Sequence, residues 1–101
     1  MKKILIIRFS SIGDIVLTSP VARCLKQQLK DVEVHYLCKK SFESIVALNP
    51  NIDKVYSIEK SIDEVIPQLK KEQYDYIIDL HYNIRSVLVK MKLNRPFATV
   101  R

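Results

Sequence analysis

The feature that most constrains the fold is a short apolar run near the start of the chain, which stops abruptly in a polar turn. Residues 4–7 are apolar at every position, as is typical of a strand buried on both faces of a parallel sheet. The turn ends in Gly13-Asp14, and a helical pattern follows at once. In open parallel sheets, ligands bind where a strand passes into the next helix. The sequence therefore predicts a ligand-binding edge at residues 8–14.

Strand and helix patterns alternate along the whole chain. Strands are predicted at residues 3–8, 32–37, 54–58, 76–80 and 97–100, and helices at 18–30, 41–48, 62–72 and 84–93. Ser41 is a predicted helix N-cap, and Ser61 with Glu64 forms a predicted capping box. Alternating strands and helices imply a parallel sheet with right-handed crossovers. We therefore predict one α/β domain over residues 1–101, a three-layer Rossmann-like sheet with helices on both faces.

Composition excludes several classes of protein. The apolar fraction of 48% suits a globular core, and no apolar run approaches the roughly 20 residues of a membrane helix. Arg8 interrupts the first apolar stretch too early for a signal peptide, so we expect a cytoplasmic protein. Cys24 and Cys38 lack the spacing of a zinc or redox motif. A net charge of +6 suits an anionic ligand, but without a stacking or helix-turn-helix motif we expect no nucleic acid partner.

The turn after the first strand suits an anion or a sugar hydroxyl. Arg8 supplies positive charge, Ser10 and Ser11 supply hydroxyl donors, and the following helix start offers unpaired amides. Gly13 permits a tight turn or a close approach of the backbone to a ligand. Asp14 is either a helix cap or a general base, and spacing alone leaves both roles open. Gly13 is the only glycine, which excludes a dinucleotide fingerprint and a P-loop.

A second polar loop follows the apolar strand predicted at residues 76–80. It places His81, Asn83 and Arg85 at another strand exit, where they either contact a ligand or form an ordinary surface loop with Asn83 as a helix cap. Neither His81 nor His35 has a carboxylate or a second histidine at metal-site spacing. The sequence therefore predicts no metal site and no cofactor.

Two stretches resemble glycosyltransferase family 9, the ADP-heptose:lipopolysaccharide heptosyltransferases. Residues 4–20 are similar to the opening of that family: an apolar strand, a basic residue, a Ser-Ser-Ile-Gly-Asp turn and a Thr-x-Pro helix start. Residues 74–86 are similar to its second motif, in the form Asp-Leu-His-x-Asn-x-Arg. The resemblance implies the N-terminal half of a GT-B enzyme, in which two Rossmann-like domains face each other across a cleft. It also implies inverting transfer without a metal.

The resemblance carries roles onto individual positions. Asp14 matches the catalytic base, which deprotonates the acceptor hydroxyl for attack on the anomeric carbon of heptose. The substrate-binding positions that it implies are Arg8, Ser10, Ser11, Gly13, His81, Asn83 and Arg85.

The resemblance also implies partners. They are the donor ADP-heptose and a lipopolysaccharide-core acceptor, and peripheral contact with the inner face of the inner membrane is compatible with such an acceptor. The chain stops at Arg101 inside a strand-like pattern, so we expect a fragment that lacks the C-terminal domain and has no useful activity alone. The alternative is a non-enzymatic α/β module that binds a phosphorylated ligand or docks to a partner chain.

Overall fold

Five parallel strands form one sheet in the order β3-β2-β1-β4-β5. The computed structural model of the protein describes residues 2–9, 12–81 and 84–99. The strands are β1 (Lys2–Ile7), β2 (Val32–Lys39), β3 (Lys54–Ile58), β4 (Tyr76–Asp79) and β5 (Phe97–Thr99). The helices are α1 (Ile12–Gln28), α2 (Glu43–Ala47), α3 (Ile66–Glu72) and α4 (Ile84–Leu93), with 3₁₀ turns at Lys40–Phe42 and Ile62–Glu64. Among these residues, none of the helices has the length and hydrophobicity of a membrane-spanning segment.

The sheet separates two hydrophobic cores, because successive residues of a strand point to opposite faces. On one face, Leu5 of β1 belongs to a core with Leu69 of α3 and Val89 of α4. On the other face, Ile6 belongs to a core with Ile15 of α1. The core residues of β1 and β2 are almost fully buried, as expected for central strands covered on both sides. The predicted three-layer α/β architecture is confirmed.

The first helix begins earlier than predicted. It starts at Ile12, not at residue 18, so that Pro20 lies inside α1 and not in its first turn. A proline at this position has no N–H to donate to the carbonyl of Val16. The hydroxyl of Ser19 donates to that carbonyl instead, at 2.7 Å. This local replacement explains how the helix continues through the proline, and why a proline-based prediction of its start was wrong.

The two predicted serine caps had different outcomes. Ser41 lies within the 3₁₀ turn that precedes α2, and neither this turn nor α2 has a side-chain cap hydrogen bond, so the prediction for Ser41 was wrong. The capping box of Ser61 and Glu64 is confirmed, although it opens the second 3₁₀ turn and not α3 directly. Pro67 lies in the first turn of α3, where its missing N–H removes no helical hydrogen bond.

Candidate functional site

The exits of β1 and β4 lie side by side at the carboxyl edge of the sheet. The two strands are neighbours, with Ile7 paired with Asp79, and the N–H of Leu80 donates to the carbonyl of Ile7 at 3.0 Å. Both predicted loops therefore begin at the same place, although they are far apart in the sequence. This edge is where ligands bind in open parallel sheets.

Arg8 joins the two exits. Its guanidinium Nη1 donates to the carbonyl of Leu80, and its backbone N–H donates to the carbonyl of Leu37 at 3.1 Å. The side chain is half-buried, and it brings a permanent positive charge to the edge. Arg8 therefore has a structural role in this edge besides the substrate-binding role implied by the resemblance.

His81 lies against the first loop. Its ring packs edge-on to the buried ring of Phe9, with 5.4 Å between the centroids and an interplanar angle of 84°. Its backbone N–H donates to Oδ1 of Asp79 at 2.9 Å. The structure thus brings His81 and Arg8, two of the predicted site residues, to one edge.

A buried ion pair lies beneath this edge and was not predicted. Nζ of Lys90 is 3.0 Å from Oδ2 of Asp79, and both side chains are at most 5% exposed. Nζ also lies 4.6 Å from the ring centroid of Phe97. A signal for it exists in the sequence, since Lys90 falls on the same helical stripe as the buried Val89 and Leu93. Charged side chains on such a stripe are almost never fully buried unless they are paired.

The positions of Gly13 and Asp14 differ from those predicted. Both lie in the first turn of α1 and not in a loop before it. Gly13 does not have a left-handed φ, so a tight turn does not explain the glycine. A Cβ placed on it would meet no described atom within 4 Å, which leaves room for a close approach. Since α1 begins at Ile12, Asp14 is not its N-cap, although an acidic residue in a first turn is stabilised by the helix dipole.

The remaining predicted site residues are less informative. Arg85 is exposed near the start of α4. Ser10, Ser11 and Asn83 lie outside the described residues, as does the side chain of Asp14.

A second basic segment borders the same edge. Lys39 ends β2, and its N–H donates to the carbonyl of Phe9 at 3.2 Å. The next residue, Lys40, is exposed and pairs with Glu59 at 3.1 Å. The sequence argument did not single out these lysines, because they lie far along the chain from the first loop. Among the residues that the structure describes, no three His, Cys, Asp or Glu side chains are grouped so as to hold a metal ion.

An apolar cavity lies between α1 and α2. It measures about 360 Å³ and is lined by α1, by α2 and by the residues that follow α2. Ile15 and Val16 line it, and they follow Asp14 directly in the chain. The lining residues recur along several turns of α1, from Ile15 to Arg23, so the cavity follows the side of this helix that faces α2 and is not specific to Asp14.

The amino-acid sequence has a clear curated relative. It is 33% identical over 99 residues to lipopolysaccharide heptosyltransferase 1 of Campylobacter coli, a match that covers 92% of this chain and 29% of that protein. The chain belongs to glycosyltransferase family 9. It spans about a third of the length of this relative, and no protein-family model matches it.

Solved structures of family members share the fold. The glycosyl transferase family 9 protein from Veillonella parvula superposes with a TM-score of 0.85 at 24% identity, over 97% of this chain and 31% of that one. ADP-heptose LPS heptosyltransferase II of E. coli superposes with a TM-score of 0.83 at 21% identity, over 98% and 30%. At these sequence identities, the superpositions are evidence for the fold and not for the function. They agree with the Rossmann-like sheet described above.

Proposed function

We propose that this chain is the acceptor-side part of an inverting glycosyltransferase that moves heptose from ADP-heptose to the inner core of lipopolysaccharide. The observation that carries the proposal is the position of Gly13-Asp14. These residues lie in the first turn of the helix after β1, at the edge where the loop after β4 also begins. The match to a heptosyltransferase by sequence supports the choice of donor and acceptor.

In the proposed reaction, Asp14 is the general base. Its carboxylate takes the proton of an acceptor hydroxyl while that oxygen bonds to the anomeric carbon of heptose. The bond from this carbon to ADP breaks, and ADP leaves from the opposite face with the bonding electrons. The carboxylate form is the one that accepts a proton, and a negative charge is favoured in the first turn of a helix.

The surrounding residues are proposed to hold the acceptor. Arg8 and Lys39 bring positive charge to the edge, which suits acidic sugars or phosphates of the inner core. We assign acceptor contacts also to Ser10, Ser11, His81, Asn83 and Arg85. The open space above Gly13 supports a close approach of the acceptor to the backbone of α1.

The donor is proposed to bind outside this domain. In the GT-B arrangement the second Rossmann-like domain holds the nucleotide sugar, and catalysis depends on placing both reactants together. We therefore expect the 101-residue chain alone to show no useful heptose transfer. Measurable turnover by the isolated chain would contradict this division of roles.

The proposal is tested by the substitution Asp14→Asn in the full-length protein. Asparagine has nearly the same shape but cannot accept the proton, so we expect kcat for transfer from ADP-heptose to heptose-free lipopolysaccharide to fall by about 10²–10⁴. The matched control is Asp31→Asn, an exposed residue of a turn whose positive φ asparagine tolerates. A kcat near wild type for Asp14→Asn would exclude it as the base. Binding of acceptor by the wild-type protein without any transfer would favour the non-enzymatic module instead.

A further inference from the structure

We propose that Asp79 is a positioning residue, whose buried side chain holds the start of the β4–α4 loop at the acceptor edge through its hydrogen bond from His81, while Lys90 neutralises the charge of the buried carboxylate. This inference rests on the proposed function, because it assigns the loop to the acceptor. It concerns two residues that lie below the edge and touch no substrate in the proposed reaction.

The two oxygens of the Asp79 carboxylate connect different parts of the molecule. Oδ1 accepts the N–H of His81 at 2.9 Å, and Oδ2 lies 3.0 Å from Nζ of Lys90 in α4. The side chain thus links the end of β4, the beginning of the loop and the helix that follows it. Because Asp79 is fully buried, the carboxylate has little freedom to move, and the position of the His81 backbone is correspondingly defined.

The loop is also attached from the other side. Arg8 donates to the carbonyl of Leu80, and Phe9 packs against the ring of His81. Contacts to β4, α4 and the residues after β1 therefore determine where Leu80 and His81 lie. A ligand held by this loop is placed relative to α1, which carries Asp14.

A buried ion pair is by itself weak evidence for a contribution to stability. Replacing a buried ion pair by apolar side chains of similar volume is often neutral or stabilising, whereas removal of one partner is strongly destabilising. The distinctive property of this pair is its geometry, since the same carboxylate also receives a backbone N–H of the loop. Loss of that hydrogen bond should loosen the loop without removing the core below it.

Two double variants separate these effects in the full-length protein. Asp79→Asn with Lys90→Met removes both charges but keeps an oxygen for the N–H of His81. Asp79→Leu with Lys90→Met removes the charges and that oxygen. We expect the asparagine variant to keep the acceptor KM within about threefold of wild type, and the leucine variant to raise it by about tenfold or more, because small misplacements are costly. The KM for ADP-heptose should stay unchanged in both, which a general loss of folding would not produce.

A folded leucine variant with the wild-type acceptor KM would overturn the proposal. If that variant does not fold, amide hydrogen exchange of the wild-type protein decides the matter. The proposal requires the N–H of His81 to exchange as slowly as the N–H of Ile77 in β4, and exchange at the rate of an open loop would overturn it. Absence of any heptose transfer by the wild type would count against the proposed function. The exchange rate of the His81 N–H would still show whether its hydrogen bond to Asp79 holds the loop.

Discussion

Nζ of Lys3 lies 2.9 Å from Oε1 of Glu72, joining the first strand to the end of α3. Tyr56 and Lys54 donate to the other carboxylate oxygen, and Nδ1 of the buried His35 lies 3.8 Å from it. Partial burial by itself would raise the pKa of Glu72. The hydrogen bonds from Tyr56, Lys3 and Lys54, together with His35, outweigh burial and lower the pKa to about 2. Glu72 therefore organises a charged cluster at the end of the sheet opposite the candidate site.

This pKa predicts how stability depends on acidity. A carboxyl group with a lowered pKa contributes stability above its ordinary pKa of 4.5, and that contribution is lost as the pH falls through about 2. We expect Glu72→Gln to reduce the free energy of unfolding at pH 7 by about 1–3 kcal/mol, as for a hydrogen-bonded charged group. Chemical unfolding at several pH values between 7 and 2 measures this loss. The free energies of unfolding of the wild type and of Glu72→Gln should converge as the pH approaches 2.

The matched control for this experiment is Glu59→Gln. Glu59 pairs with Lys40 in solvent, where an ion pair contributes little to stability. We expect its unfolding curve to follow that of wild type at every pH. Equal losses in the two variants would show that the contacts of Glu72 have no special weight.

The strands of the sheet could be predicted well, because the pattern that indicates a strand lies within a few consecutive residues. Residues 4–7 are apolar without interruption, which indicates burial on both faces, and residues 76–80 are apolar except for Asp79. The start of α1 was missed because a side chain, Ser19, satisfies the carbonyl that Pro20 leaves without a backbone donor. A pattern of residue types does not show that replacement.

The candidate site was predicted only in part, for a related reason. The meeting of the two loops follows from strand order, and the family motifs pointed to both of them. The pairing of Asp79 with Lys90 depends on how α4 packs against β4, which spacing does not give. The polar environment of His35 likewise depends on Glu72 and Tyr74, which approach it only in the folded chain.

The substitution Gly13→Ala should affect stability and heptose transfer in opposite directions. Its φ is not left-handed and a Cβ would meet no described atom within 4 Å, so Gly13→Ala fits the fold. We expect the free energy of unfolding to rise by up to about 0.5 kcal/mol, since alanine is the better helix residue. Heptose transfer should fall by about tenfold or more, because the new methyl group occupies the space proposed for the acceptor. Thermal unfolding and steady-state kinetics of the full-length protein test the two effects.

A control for Gly13→Ala is Gln27→Ala, an exposed position near the end of α1. It should leave transfer unchanged. Wild-type transfer by Gly13→Ala would mean that no ligand approaches the backbone there.

The two cysteines should differ sharply in reactivity. Cys24 is exposed, whereas Cys38 is fully buried, and burial, with a smaller contribution from Glu43, raises the pKa of its thiol to about 12. The thiolate is the reactive form, so Cys38 remains protonated and unreactive at pH 8. A thiol reagent should therefore modify Cys24 in the folded protein and Cys38 only after unfolding. Cys24→Ser identifies the fast thiol, and rapid labelling of that folded variant at Cys38 would contradict the buried position.

Arg8 lets the structural and electrostatic roles of one side chain be compared. Arg8 directly follows β1, and its guanidinium donates to the carbonyl of Leu80, which connects the two loops of the candidate site. Arg8→Ala should lower the free energy of unfolding by about 1–3 kcal/mol, since it removes a charged donor from a half-buried carbonyl. Arg8→Lys keeps the charge but not the planar donor geometry, so it should retain attraction for an anionic acceptor and lose part of the loop attachment.

The acceptor KM at two ionic strengths distinguishes these roles of Arg8. If its charge attracts the acceptor, Arg8→Ala should show a weaker salt dependence of the acceptor KM than wild type, and Arg8→Lys should keep the wild-type salt dependence. If Arg8 acts only by attaching the loop, both variants should raise the acceptor KM by similar factors at low and at high salt. The second outcome would remove Arg8 from the proposed substrate contacts and leave it as a support of the edge on which His81 lies.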